Sequence, residues 1–209
     1  ARLLAEGHVV ARAAGPMEFG ARSLGNRSIL ADPSLPGVAA LINDMIKDRD
    51  FWMPFAPSVL AERSEEYFVK PKPVAAPYMV LTFDARAEKL GVTRAASHPS
   101  DHTMRPQEVE RSWNPEYHHL LSHFAELTGE AVVLNTSFNL HGFPVVRTAD
   151  DALDVFLRSG LAYMQLAGFI VRKGPAPSAL DDQGATPEAA PAASVTTSAG
   201  GATGPSSSD

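Results

Sequence analysis

The chain has 209 residues, 44% hydrophobic and 20% charged, the balance of a globular protein with one sizeable core rather than a fibrous or disordered chain. Cysteine is absent, which excludes a disulfide framework, a thiolate zinc site and a cysteine nucleophile, and fits an intracellular setting. The formal charge of −6 is uneven, because residues 174–209 hold four acids and no base, leaving −2 on residues 1–173; a broad footprint for nucleic acid is not supported, whereas a local basic pocket is compatible with it.

In chain order, "ARLLAEG" reads as the end of an amphipathic helix stopped by Gly7, with no cap before it, and so as the edge of a longer protein. "ARLLAEGHVV" lacks the basic region, apolar core and cleavage site of a signal peptide. No apolar run approaches the roughly 18 residues of a membrane span, and the expected location is cytoplasmic. "HVVAR" predicts a strand. The stretch "GPMEFGARSLGNRSILADP", residues 15–33, is punctuated by glycine and carries Arg22 and Arg27 among small residues. Its glycines let backbone amides approach an anion while the arginines donate charge-assisted bonds; the same composition also describes a surface loop with solvated arginines. No "GKS" or "GKT" follows, so it is not a Walker loop.

"RSILA" predicts a strand. Val38, Leu41, Ile42, Met45 and Ile46 follow helical spacing after Pro36, with the helix ending near Lys47. In "IKDRDFWMPFAPSVL", Lys47 and Arg49 are two apart and face one way if the backbone is extended, which favours a polyanion. A solvated helix C-terminus explains the same two cations. Phe51, Trp52 and Phe55 read as core and wall, with "APSVLA" and "YMVLTF" as strands. In "SDHTMRPQEV", Asp101, Thr103, Arg105 and Gln107 alternate onto one face, and Pro106 points to an edge strand or strand end.

The clearest helix runs from Asn114, its cap, through Pro115 to Thr128, with Tyr117, Leu120, Leu121, Phe124 and Leu127 on one face and Gly129 as its stop. His119 and His123 share its polar face, which exposure explains better than metal binding; no metal site is expected. "AVVLNTS" predicts a strand whose end turns Asn135, Ser137 and Asn139 together, suited to phosphate oxygens, a base edge, or merely a polar turn. A helix capped by Thr148 buries Ala152, Leu153, Phe156 and Leu157 and closes at Gly160, and "GFIVRK" predicts a last strand. Interleaved helices and strands argue for an α/β or α+β domain with a mixed sheet over residues 1–173. Residues 174–209, rich in Pro, Ala, Gly and Ser, read as a disordered tail.

The ordered set "GPMEFGARSLGNRSILADP", "IKDRDFWMPFAPSVL", "HPSDHTMRPQ" and "LTGEAVVLNTSFNLHGFPVV", followed by a helix and "GFIVRK", resembles the C-terminal region of NodU/CmcH-type carbamoyltransferases. The resemblance implies a YrdC-like domain, a twisted mixed β-sheet flanked by helices, whose Lys-x-Arg and Ser-x-Asn nucleotide signature falls on Lys47, Arg49, Ser137 and Asn139. It further implies that ATP, with Mg²⁺ on the nucleotide, reacts with carbamoyl phosphate to give a carbamoyl-adenylate. A kinase-like N-terminal domain of the same protein, holding its own metal, then passes the carbamoyl group to a small-molecule hydroxyl acceptor.

On that reading Lys47 and Arg49 meet the ATP phosphates, and Thr136, Ser137 and Asn139 complete the cradle. Arg22 and Arg27 meet carbamoyl phosphate, and Arg105 a phosphate of either substrate. Pro16, Ala21, Ser23 and Met53 depart from the family's usual residues, so no cationic duty falls on positions 16 and 53. The alternatives are a threonylcarbamoyl-adenylate synthase, which shares the signature but lacks the opening segment, and a non-catalytic nucleotide- or RNA-binding module, against which the body charge of −2 counts for RNA.

Overall fold

The computed structural model describes residues 1–47 and 53–174. α1 (Arg2–Ala5) is a single turn, followed by Gly7 at φ +89. β1 (Val10–Ala13) and β2 (Arg27–Ala31) flank the glycine-rich loop and pair antiparallel, Val10 opposite Leu30. α2 (Val38–Ile42) passes into a wider π-type turn, Asn43–Lys47, which buries Ile46 and Lys47. β3 (Ala56–Leu60) is buried throughout.

Two expectations fail between residues 78 and 109. "YMVLTF" is not a strand: only β4 (Phe83–Asp84) is extended, while Val80 is exposed and Met79 takes φ +55. Apolar, β-prone residues form a strand only beside a partner edge, and β4 finds one in β5 (Thr103–Met104), in a separate two-stranded ribbon, and in a backbone bond from Val69 to Asp84. The alternating run around Arg105 is likewise split, since β6 (Gln107–Val109) belongs to the edge of the main sheet. Pro106 stands at the break, where it has no donor to give a ladder.

α3 (Pro115–Thr128) begins as its sequence directs: the Asn114 side chain accepts from the Tyr117 N–H at 3.2 Å, and Gly129 ends the helix at φ +83. Tyr117, Leu121 and Phe124 are buried, but Leu127 is not. β7 (Val132–Ser137) follows. α4 (Ala149–Arg158) opens with a capping box between Thr148 and Asp151. Its buried stripe is Ala152, Val155 and Phe156, with Leu157 exposed, so the apolar face is rotated from the one expected. β8 (Tyr163–Leu166) and β9 (Phe169–Arg172) close the chain described.

Seven strands form one sheet in the order β6-β3-β7-β2-β1-β8-β9. It is mixed: β1 with β8 and β3 with β6 are parallel, and the other pairs antiparallel. Helices cover both faces, so the central strands read as continuous apolar runs rather than alternating ones. Val10 and Leu30 join Tyr117, Leu121 and Phe124 of α3 in one core cluster. Their strand neighbours Ala11 and Ile29 join Ile42, Ala152 and Phe156 in the other. The expected mixed α/β architecture is thus present. The tail expected to be disordered falls, from residue 175, outside the described residues.

Candidate functional site

The glycine-rich loop is held by a carboxylate. Glu18 Oε1 accepts the backbone N–H groups of Leu24 and Asn26, each at 2.7 Å, and of Arg27 at 3.1 Å. Three backbone amides of the loop thus have an internal partner. Gly25, at φ +115, lies flat on α3, and a Cβ there would stand 2.3 Å from the Tyr117 ring. Arg12, 1% exposed, pins the loop from below, donating to Gly25 O at 2.7 Å and Asn26 Oδ1 at 2.8 Å. Burial lowers its guanidinium pKa from the ordinary arginine value, with Tyr117, Glu116 and Glu18 pulling the other way.

The two loop arginines diverge. Arg27 donates to the carbonyls of Arg147, Ala14, Gly15 and Asn26, at 2.9–3.3 Å, and so serves as a backbone clamp. It lines neither of the cavities that Arg22 lines.

Lys47, at the end of the π-type turn, is buried at 2% exposure and reaches the end of β7. Its Nζ donates to Asn139 Oδ1 at 2.7 Å, to Ser137 Oγ at 3.1 Å and to the Ser137 carbonyl. Ser137 Oγ donates in turn to Asn139 Oδ1 at 2.6 Å, and Asn139 Nδ2 donates to Phe143 O at 2.7 Å. Three of the four signature residues therefore meet, in one knot. Arg49, together with Phe51 and Trp52, lies outside the described residues. Thr136, 7% exposed, lines the small cavity next to this knot.

Arg22 and Arg105 come together from the loop and the segment between β5 and β6. Burial first, and then the positive charge of Arg22, lower the Arg105 guanidinium pKa from its ordinary value. Two like charges held close raise each other's cost until an anion enters between them. Both line a cleft of about 650 Å³ with Lys47, Asn139, His98 and His141. Beside it is a cavity of about 70 Å³ lined by Arg22, Ser23, Arg105, Asn135, Thr136 and Ser137, among others. Among the described residues, no carboxylate lines either space.

Sequence reasoning missed His141 and Ser23 and passed over His98. His141 Nδ1 donates to the Lys47 carbonyl at 2.7 Å, which fixes the proton on that nitrogen in the neutral ring. His98 Nδ1 lies 3.0 Å from Asp101 Oδ1. No local spacing announces either residue, because both reach the cleft from loops. Elsewhere, His119 and His123 bring their Nε2 atoms to 3.0 Å on the outer face of α3. Among the described residues, no group of three or more His, Asp or Glu side chains is placed to hold a metal, and no helix is long and apolar enough to cross a membrane.

Comparison with known proteins adds the following. The family model described as Carbamoyltransferase C-terminus matches residues 1–173. The nodulation protein NolO of Bradyrhizobium diazoefficiens is 40% identical over 174 residues, covering 83% of this chain and 32% of that protein. The 3'-hydroxymethylcephem-O-carbamoyltransferase of Amycolatopsis lactamdurans is 38% identical over 148 residues, covering 71% of this chain and 27% of that protein. The chain thus spans about a third or less of the length of these relatives. Full-length HypF, solved in a phosphate- and nucleotide-bound form, superposes with a TM-score of 0.52 at 15% identity, over 76% of this chain and 19% of that one. At that identity the likeness is one of fold.

Proposed function

The chain belongs to the carbamoyltransferase C-terminal family, and from that premise we propose that residues 1–173 bind carbamoyl phosphate and ATP and join them as a carbamoyl-adenylate. The observation that carries this reading is the cleft itself: Arg22, Arg105 and Lys47 line one space that no described carboxylate enters. Two phosphate-bearing substrates bring several negative charges to one point. Fixed cations lower the cost of that approach and of the charge that builds on the leaving group. HypF, with a similar fold, was captured with nucleotide and phosphate, which agrees with this reading.

In the sequence of events we propose, water cleaves carbamoyl phosphate to carbamate and inorganic phosphate. A carbamate oxygen then attacks the α-phosphorus of ATP, the bond to the bridging oxygen breaks, and pyrophosphate leaves with the electron pair. Lys47, held by Ser137 and Asn139, and Arg49 steady the triphosphate, with Thr136 beside them. Arg22 and Arg105 hold the smaller phosphate. Arg27 acts at one remove, by clamping the loop that carries Arg22. Mg²⁺ would travel on the triphosphate oxygens and neutralise part of their charge, in keeping with a cleft that, among the described residues, no carboxylate lines. Transfer to a hydroxyl acceptor belongs, on this reading, to a kinase-like domain outside these residues.

Incubation with ATP and carbamoyl phosphate, scored for pyrophosphate and a carbamoylated AMP, tests the reaction, and calorimetric titration with each substrate tests binding. Arg22→Ala should weaken carbamoyl phosphate more than ATP. If neither substrate binds the folded chain, the reading fails.

A further inference from the structure

Three residues that line the small cavity beside the cleft each carry a buried side-chain atom with no hydrogen-bond partner: Ser23 Oγ, Arg105 Nε and Asn135 Oδ1. Ser23 is 6% exposed and Asn135 1%. A buried polar atom left unpaired costs about 1–3 kcal/mol, so a fold that gathers three around one space is under strain that a matching ligand relieves. The space, about 70 Å³, exceeds what a single water needs.

The orientation of the Asn135 amide follows from its neighbours. Gln107 Nε2 donates to Leu24 O at 2.8 Å, which turns Gln107 Oε1 toward Ser58 and Asn135. Ser58 Oγ spends its proton on Gln107 Oε1 at 2.7 Å and so can only accept from Asn135 Nδ2, 3.0 Å away. Asn135 Nδ2 also meets the Ser23 carbonyl at 3.3 Å and Gln107 Oε1 at 3.2 Å. Ser58 Oγ, the Ser23 carbonyl and Gln107 Oε1 all accept on that side, and the Tyr117 hydroxyl beside them can accept as well, so the amide nitrogen belongs there and Oδ1 is left as an acceptor that only a donor can satisfy.

The phosphoryl group of an acyl phosphate is close to a dianion at neutral pH and has no donor to offer Asn135, whereas a carbamoyl group has an NH₂ next to a carbonyl. We infer that Asn135 Oδ1 accepts from the carbamoyl NH₂ while Arg105 Nε donates to the carbamoyl oxygen, and that this cavity distinguishes carbamoyl phosphate from other acyl phosphates. Ser23 Oγ, as donor or acceptor, serves either end. Acetyl phosphate carries a methyl group in place of the NH₂ and would leave Asn135 Oδ1 unpaired. Sites built around a buried hydrogen bond reject analogues that lack it for this reason. The inference rests on the carbamoyl phosphate reading above and adds the atom that sets specificity.

The test is calorimetric titration of the full chain with carbamoyl phosphate, acetyl phosphate and inorganic phosphate. Carbamoyl phosphate should bind roughly tenfold to a hundredfold tighter than acetyl phosphate, the scale of one buried hydrogen bond. Asn135→Ala should collapse that ratio toward one while inorganic phosphate binds as before. Equal affinity for the two acyl phosphates in the unaltered chain overturns the inference by itself, whether or not the variant folds. A preference that survives Asn135→Ala overturns it as well. If none of the three phosphates binds, the proposed function falls and this inference with it.

Discussion

Lys47 and Asn139, 92 positions apart in sequence, are joined by a 2.7 Å hydrogen bond from the buried ammonium to the Asn139 side-chain oxygen, Oδ1. The Asn139 amide is fixed from behind by its donations to Leu140 O and Phe143 O, so its oxygen must face the lysine. A cation is therefore held in place before any ligand arrives, which is the condition for electrostatic stabilisation without reorganisation.

Lys47→Met keeps the length and apolar stem of this side chain and removes its charge. ATP-dependent pyrophosphate release should fall by about two orders of magnitude, the scale of losing one such stabilising group. Circular dichroism should show the fold retained. Activity within a few fold of the unaltered protein would remove Lys47 from the machinery.

Gly25→Ala should be among the most destabilising small changes in the chain. The left-handed backbone at φ +115 and the 2.3 Å approach of a new Cβ to the Tyr117 ring act together. Strain and overpacking of this kind cost about 2–4 kcal/mol in combination. Urea denaturation measures the loss, and an unchanged midpoint would show that the loop can lift off α3 freely.

Glu18→Ala deprives the Leu24, Asn26 and Arg27 amides of their shared acceptor. Leaving such donors unpaired costs about 1–3 kcal/mol. Amide hydrogen exchange at these three positions should accelerate, and because Arg22 rides on the same loop, carbamoyl phosphate should bind more weakly. Unaltered exchange would mean that the glycines, not the carboxylate, shape the loop.

The first turn of α4 should loosen in acid. Asp151 accepts from the backbone N–H groups of Arg147 and Thr148, and these bonds hold its carboxyl pKa below the ordinary 3.8. A depressed folded pKa contributes stability that is present above the ordinary value and fades as pH falls through the folded one. Protection of the Arg147 and Thr148 amides, measured against the intrinsic exchange rate at each pH, should therefore fall below about pH 4, and Asp151→Asn should flatten that dependence. A pH-independent protection factor in the unaltered chain would contradict the role given to the capping box.

Local pattern was informative wherever a single element carried the signal. The cap at Asn114, the stop at Gly129 and the strand ending at Ser137 are read directly from neighbouring residues, and each stands where expected. Pattern misled where an apolar run needed a partner it could not specify, as at Val80 and Leu81, which no sheet edge meets. Nor did it announce that Arg27 would donate to the carbonyls of Arg147 and Gly15.

The motifs, in their order, carried the resemblance to the family, and the local elements followed from consecutive positions, because a two-residue period and a helix cap are properties of neighbours in sequence. Which arginine faces the cleft and which clamps the backbone, and which way the Asn135 amide points, were decided only by folding. Those outcomes depend on atoms brought together from distant segments, Ser58, Gln107 and Ser23 around Asn135 above all, and no local spacing encodes such a meeting.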